Sequence, residues 1–203
     1  ISNPAFRVIC KQFGAGLIYT EMVSDKALYY ENEKTLHMTA VEKEEHPLTM
    51  QIFGHDIETM VYAAKLLDEK SDCDIIDINM GCPVNKIIKS NAGSALMKDI
   101  DHAVTMTKAV VDSVKKPVTV KMRIGWDMDS INCVELAKGL ASVGVSALAV
   151  HGRTRKQMKA KLIGNISKLS NKLFLFRLWE MVIYAVVKMP SGCWIRLVVM
   201  RSW

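Results

Sequence analysis

The sequence predicts an α/β protein, part of a (β/α)8 TIM barrel with about five of its eight strands. Three observations point there. Short apolar runs alternate with longer amphipathic runs up to Met158, and strand alternating with helix implies parallel strands, which need crossovers. The strand candidates read as apolar and mostly non-alternating, as expected of a sheet buried on both faces. Each ends in polar or small residues, "TEM", "QIFGHD", "NMGCP", "KMRIGW" and "HGRTR". Chemistry-bearing side chains therefore gather at the carboxyl ends of several strands, where a barrel builds its active site. An open doubly wound sheet uses the same edge. No GxGxxG follows a first strand here, however, and chemistry spread over five strand ends favours the barrel. A full barrel takes about 250 residues, so an incomplete one is expected.

In chain order, amphipathic spacing predicts a helix over 4–13, and a short apolar run predicts a strand over 17–22. A strand over Leu48–Phe53 and a helix over Ile57–Lys70 follow, then a strand over 74–79 and a helix over 100–114. Asp99 and Asp101 suit the positive start of that helix, and Lys115–Lys116–Pro117 ends it. The series closes with a strand over Val118–Arg123, a helix over 130–143 and a strand over Ala147–His151.

With 203 residues, half of them hydrophobic, one core and one domain are expected. Residues 1–158 form that domain; residues 159–203 form an aberrant basic and hydrophobic tail. The net charge of +6 belongs to the tail, because residues 1–158 carry 19 Lys and Arg against 20 Asp and Glu, whereas 159–203 carry eight against Glu180 alone. Five cysteines stand without CxxC or CxxxH spacing, which argues against a disulfide framework or a metal site and for a reducing cytoplasm. The opening "ISNPAFRVICKQF" has no signal-peptide pattern and reads as the interior of a longer protein. The apolar stretch 173–187 is too short and, with Arg177 and Glu180, too charged for a membrane span. A monomer is expected.

Cys82 draws the functional reading. Gly81 before it allows close approach of the backbone to a ligand, and Pro83 after it stops the strand. A lone cysteine is commonly a small buried hydrophobe, the reading kept for Cys10, Cys73, Cys133 and Cys193. Around Cys82, Asn79, Lys86 and Lys89 place polar groups on the same turn, which favours a thiol at a pocket rim.

The stretches "DINMGCPVNKIIKSNAGSALMKD", "QIFGHD", "VTVKMRIGW" and "LAVHGRTRKQM" together resemble the bacterial tRNA-dihydrouridine synthase family, from about Ile1 to Met158. The resemblance implies an FMN enzyme on a TIM barrel that reduces the C5–C6 bond of uridines in tRNA, NADPH recharging the flavin. Cys82 matches the family's catalytic cysteine, which gives a proton to C5. A general acid must hold its proton at working pH, and an unperturbed thiol, with a pKa of about 8.5, does so. Gln51 and Lys121 match flavin-binding positions, and His151 a third strand-end residue near the flavin. Asn79 and Arg123 match positions that read the uracil, for which an amide and a guanidinium suit O2, O4 and N3–H. Lys86, Arg153 and Arg155 lie near the rim, where RNA phosphate would pass. His37, His46, His55 and His102 are assigned no chemistry, and Lys98, Lys115 and Lys116 read as solvated helix ends.

After Met158 the family resemblance stops. The family continues with a Gly-Asn-Gly-Asp stretch and a Gly-Arg stretch that bind the FMN phosphate; this chain shows neither. Read two bases out of register, the codons for Trp179–Val182 force Gly, then Asn or Asp, then Gly. A frameshift after about residue 160 is therefore the leading account of the tail, with truncation at both ends. On that account the chain as written is unstable, holds flavin poorly and is inactive. Two further readings stand beside the tRNA reductase. One is an FMN-dependent pyrimidine or dihydroorotate-type dehydrogenase, against which the Gly-Ser-Ala-Leu run and "HGRTR" argue. The other is a remnant without function.

Overall fold

A computed structural model describes residues 3–157 and the backbone of Ile183–Ala185. Helix α1 (Pro4–Gln12) starts on the Asn3 cap, whose side chain accepts from Phe6 N, the arrangement that supplies a partner for an orphan N–H of the first turn. Strands β1 (Ile18–Tyr19) and β2 (Val23–Ser24) follow, then α2 (Asp25–Tyr29) and α3 (Glu33–His37). Next come β3 (Leu48–Phe53), α4 (Ile57–Lys70), β4 (Ile75–Met80), α5 (Asn85–Ile88), α6 (Ile100–Ser113), β5 (Val118–Arg123), α7 (Cys133–Ser142), β6 (Ala147–His151) and β7 (Ile183–Ala185).

The sheet order is β1-β3-β4-β5-β6-β7, with β2 also on β3, and every pairing up to β6 is parallel. The predicted strand 17–22 is two pieces. Ile18 and Tyr19 lie beside Leu48 and Thr49, Val23 and Ser24 beside Ile52 and Phe53. Together they fill one strand position, so the sheet has the five parallel positions of a partial (β/α)8 barrel. β7 pairs antiparallel with β6, in a tail where no strand is predicted. Its orientation differs from a barrel's parallel strands. The frameshift reading otherwise falls on residues outside those described.

The expectation of non-alternating strands is corrected. Met50, Ile52, Ile76, Ile78, Val120 and Met122 are fully buried in one core with Leu67 of α4, Met106 of α6 and Leu140 of α7. The residues between them, Thr49 and Gln51, Asp77 and Asn79, Thr119, Lys121 and Arg123, are polar. Successive strand side chains point to opposite faces, so the apolar set lies under the helices and the polar set faces what would be the barrel interior. Both faces are largely buried, but only one is apolar.

Helix α4 shows how the crossovers are held. Asp56 caps its start, accepting from Glu58 N and Thr59 N at 3.0 and 3.2 Å. At its end, Lys116 Nζ donates to the carbonyls of Leu67, Asp68 and Ser71 at 3.1, 2.7 and 2.9 Å, which provides partners for orphan C=O groups of the last turn. Lys116 is thus a cap between two crossovers and not a solvated end. Among the described residues no helix is long and apolar enough to cross a membrane.

Candidate active site at the strand ends

The sheet register brings the polar face together. Gln51, Asp77 and Thr119 stand side by side on β3, β4 and β5; Asn79 stands beside Lys121, and Arg123 beside His151. Asp77 Oδ2 accepts from Gln51 Nε2 at 2.7 Å, and Asp77 Oδ1 from Thr119 Oγ1 at 2.6 Å. Gln51 Oε1 accepts from Asn79 Nδ2 at 2.8 Å, a diagonal contact within reach of long side chains. Asn79 Oδ1 accepts from the backbone N–H groups of Gly81 and Cys82 at 3.0 and 2.8 Å.

Cys82 lies on the turn so held. Its carbonyl accepts from Ser94 N at 3.1 Å and from Ser94 Oγ at 2.9 Å. Gly93 has φ +61°, and a Cβ there would sit 2.9 Å from Cys82 O. The Gly-Ser pair of the Gly-Ser-Ala-Leu run therefore buttresses the cysteine turn. Cys82 is 9% exposed and packs on one side with Ile87, Ala92, Met22 and Phe53, more apolar company than its polar flanks predict. On the other side it is close enough to act electrostatically on Lys121 and Arg123.

The cations shape the electrostatics. Burial pushes the Lys121 ammonium down, opposed by Asp77, and among the described residues its Nζ has no hydrogen-bond or ion-pair partner. Arg123 is buried; its Nε donates to Gly81 O at 2.6 Å and its Nη1 to Thr154 O at 3.2 Å. Burial, then the charges of Arg123, Lys121 and Arg153, push His151 down to about 4, so at neutral pH it presents a neutral imidazole. Burial pushes Asp77 up to about 6, against the pull of Thr119, Gln51 and Lys121.

Farther out, Arg155 Nη2 donates to Asn85 Oδ1 at 2.6 Å, and Arg155 and Lys98 both stack on Trp126, with Lys98 Nζ 3.6 Å from the ring centroid. Lys98 is exposed at a helix end, as expected, and its ammonium also lies over the Trp126 ring. Lys86 is exposed on α5, the helix that follows the Cys82 turn. Of the predicted residues, Gln51, Asn79, Cys82, Lys121, Arg123, His151 and Arg153 come together. Asp77, Thr119 and Ser94 are the site residues that sequence reading missed. A charge flanked by isoleucines in "DIIDINM" was the available signal for Asp77. Among the described residues no cluster of His, Cys, Asp or Glu could hold a metal ion.

Parallel strands under crossover helices, with polar and titratable groups on their interior face toward the carboxyl ends, have the arrangement on which (β/α)8 barrels build their sites. The sequence model of the family described as dihydrouridine synthase (Dus) matches residues 1–173, which corrects the expectation that the resemblance stops at Met158. The chain belongs to the dihydrouridine synthase family. It is 41% identical over 158 residues to tRNA-dihydrouridine synthase B of Vibrio vulnificus, covering 78% of this chain and 49% of that protein. It is 43% identical over 159 residues to tRNA-dihydrouridine synthase B of Pseudomonas syringae pv. tomato, covering 78% and 47%. The chain thus spans about half the length of the curated relatives it matches.

Proposed function

We propose that this site serves the reduction of uridine to 5,6-dihydrouridine in tRNA, with FMN and NADPH, in the cytoplasm. The observation that carries the reading is the convergence of Gln51, Asn79, Lys121, Arg123 and His151 around the Cys82 turn. The residues fit the ring end of a flavin. Lys121 brings a half-buried cation whose Nζ has no hydrogen-bond or ion-pair partner among the described residues. Gln51 keeps one N–H and one lone pair beyond those it uses on Asp77 and Asn79. His151 presents a neutral ring. When bound, the flavin supplies a hydride to uracil C6.

The chain's own residues do the rest. Cys82 gives its thiol proton to C5, so that hydride plus proton saturate the double bond. The sulfur lies on the same face as the Lys121 ammonium and the Arg123 guanidinium, close enough to act on both. Asn79 has its oxygen occupied by two backbone N–H groups and one N–H by Gln51, so it can offer a uracil carbonyl only its second N–H, which here makes a weak 3.8 Å contact with Met22 Sδ. Arg123 is held by Gly81 and Thr154 and keeps donors for the other carbonyl. Arg153, Arg155 and Lys86 supply positive charge for RNA phosphate.

The test is Cys82→Ala against the parent chain, scored for flavin absorbance and for dihydrouridine in tRNA. With a parent preparation that forms dihydrouridine, retained flavin with dihydrouridine lost supports the role, and dihydrouridine formed at the parent's level rejects it. The same preparation tests the expectation that the chain as written is inactive, which stoichiometric flavin absorbance and uridine reduction would overturn.

A further inference from the structure

The hydrogen bonds on the interior face have one permitted direction. Gly81 N–H and Cys82 N–H can only donate, so the Asn79 atom that meets them is its oxygen. Its other end is then Nδ2, a donor, and Gln51 must present Oε1 to it. Gln51 Nε2 is left facing Asp77, which must accept. The chain can end there because a carboxylate accepts on both oxygens, and the second is filled by the Thr119 hydroxyl. Four side chains and one turn thus share a single sense, fixed by backbone donors at one end and a carboxyl group at the other.

We propose that Asp77 is a positioning residue: through Gln51 and Asn79 it sets the donor–acceptor sense of the site amides and holds the turn that carries Cys82. The proposal rests on the functional reading above for its purpose, but not for its geometry. The groups that face Asp77 are few. From β3 it meets the Gln51 amide; from β5 it meets the Thr119 hydroxyl and the charge of Lys121, the one charged group that acts on it among the described residues. A proton on Oδ1 is accommodated by reversing the Thr119 hydroxyl, which accepts as readily as it donates. Protonation then keeps the chain's direction and removes its charge. Asp77→Asn mimics that state, with its oxygen toward Gln51 and its amide toward Thr119. Asp77→Ala removes the anchor, and the Gln51 amide is free to turn over.

The test is a pH titration of the isotope-labelled full chain by NMR. It follows the Asp77 carboxyl carbon, the side-chain amides of Gln51 and Asn79, and the N–H groups of Gly81 and Cys82. One shared midpoint near 6 is expected, absent from all the amides in Asp77→Asn, whose resonances stay near the low-pH positions of the parent. Amides that titrate independently or not at all, or a midpoint that persists in Asp77→Asn, overturn the proposal. In Asp77→Ala, exchange of the Cys82 N–H with solvent should rise at least about tenfold while the amides of α4 keep their rates. Acceleration spread evenly over sheet and helices would show a merely structural role and overturn it. Uridine reduction is scored apart. Reduction without the shared midpoint sinks this inference and leaves the proposed function, and the shared midpoint without reduction in any preparation does the reverse.

Discussion

The two faces of strands β3 to β5 are both buried, yet they are held by different forces. On the helix side, Met50, Ile52, Ile76, Ile78, Val120 and Met122 meet the crossover helices with no exposed surface, and removal of apolar area from water stabilises them without regard to direction. On the interior side, Gln51, Asp77, Asn79 and Thr119 are also buried, and each is satisfied by a specific neighbour. Burial alone therefore does not report what a position tolerates. The helix side should accept another apolar side chain of similar volume. At Gln51, Asp77, Asn79 and Thr119 the interior side should accept only a group that keeps the donor–acceptor sequence.

Four substitutions probe that contrast. The largest effect is expected from Ile78→Asp, which puts an unpaired carboxylate among fully buried apolar side chains. A cost of about 4 kcal/mol or more is expected, and circular dichroism should show loss of cooperative unfolding. One residue along, on the other face, Asn79→Ala leaves two backbone N–H groups and the Gln51 carbonyl short of a partner. About 1–3 kcal/mol is expected, read by denaturant titration.

Asp77→Asn is milder and depends on pH. Because burial raises the folded-state pKa of Asp77 from 3.8 to about 6, the folded chain holds this proton more tightly than the unfolded chain. Stability from this group is fully present below 3.8 and is lost as pH rises through about 6. Asparagine has no such loss, so the stability of Asp77→Asn relative to the parent should rise across that window and level off above it. A difference that is flat with pH would mean that the carboxyl titrates as it does in water. The smallest effect is expected at the surface. Lys108→Ala removes an ion pair with Asp112 in which both side chains are more than half exposed, and about 0.5 kcal/mol or less should follow.

Much of the scaffold was legible from spacing. Helix Ile57–Lys70 and strands Leu48–Phe53, Val118–Arg123 and Ala147–His151 fall where amphipathic and apolar runs place them. The short helices α2 and α3 were not, since five residues hold little periodicity; the Ser24 and Asn32 caps were their only signal. The alternation in "VTVKMR" is present in the sequence but is masked by the apolar members that dominate the run. Lys116 departs from its expectation for a different cause. A long cation after a helix looks solvated until the chain that meets it is known, and here the end of α4 comes from another crossover.

By itself the sequence determined the period-two placement of polar side chains on β3, β4 and β5, and the Gly-Cys-Pro turn at the end of β4, because both depend only on neighbours along the chain. Only the tertiary structure decided that Asp77 would anchor Gln51, 26 residues before it, and Thr119, 42 residues after it. A hydrogen bond has a direction and a length, and nothing in a linear order says which donor will arrive within 3 Å of which acceptor.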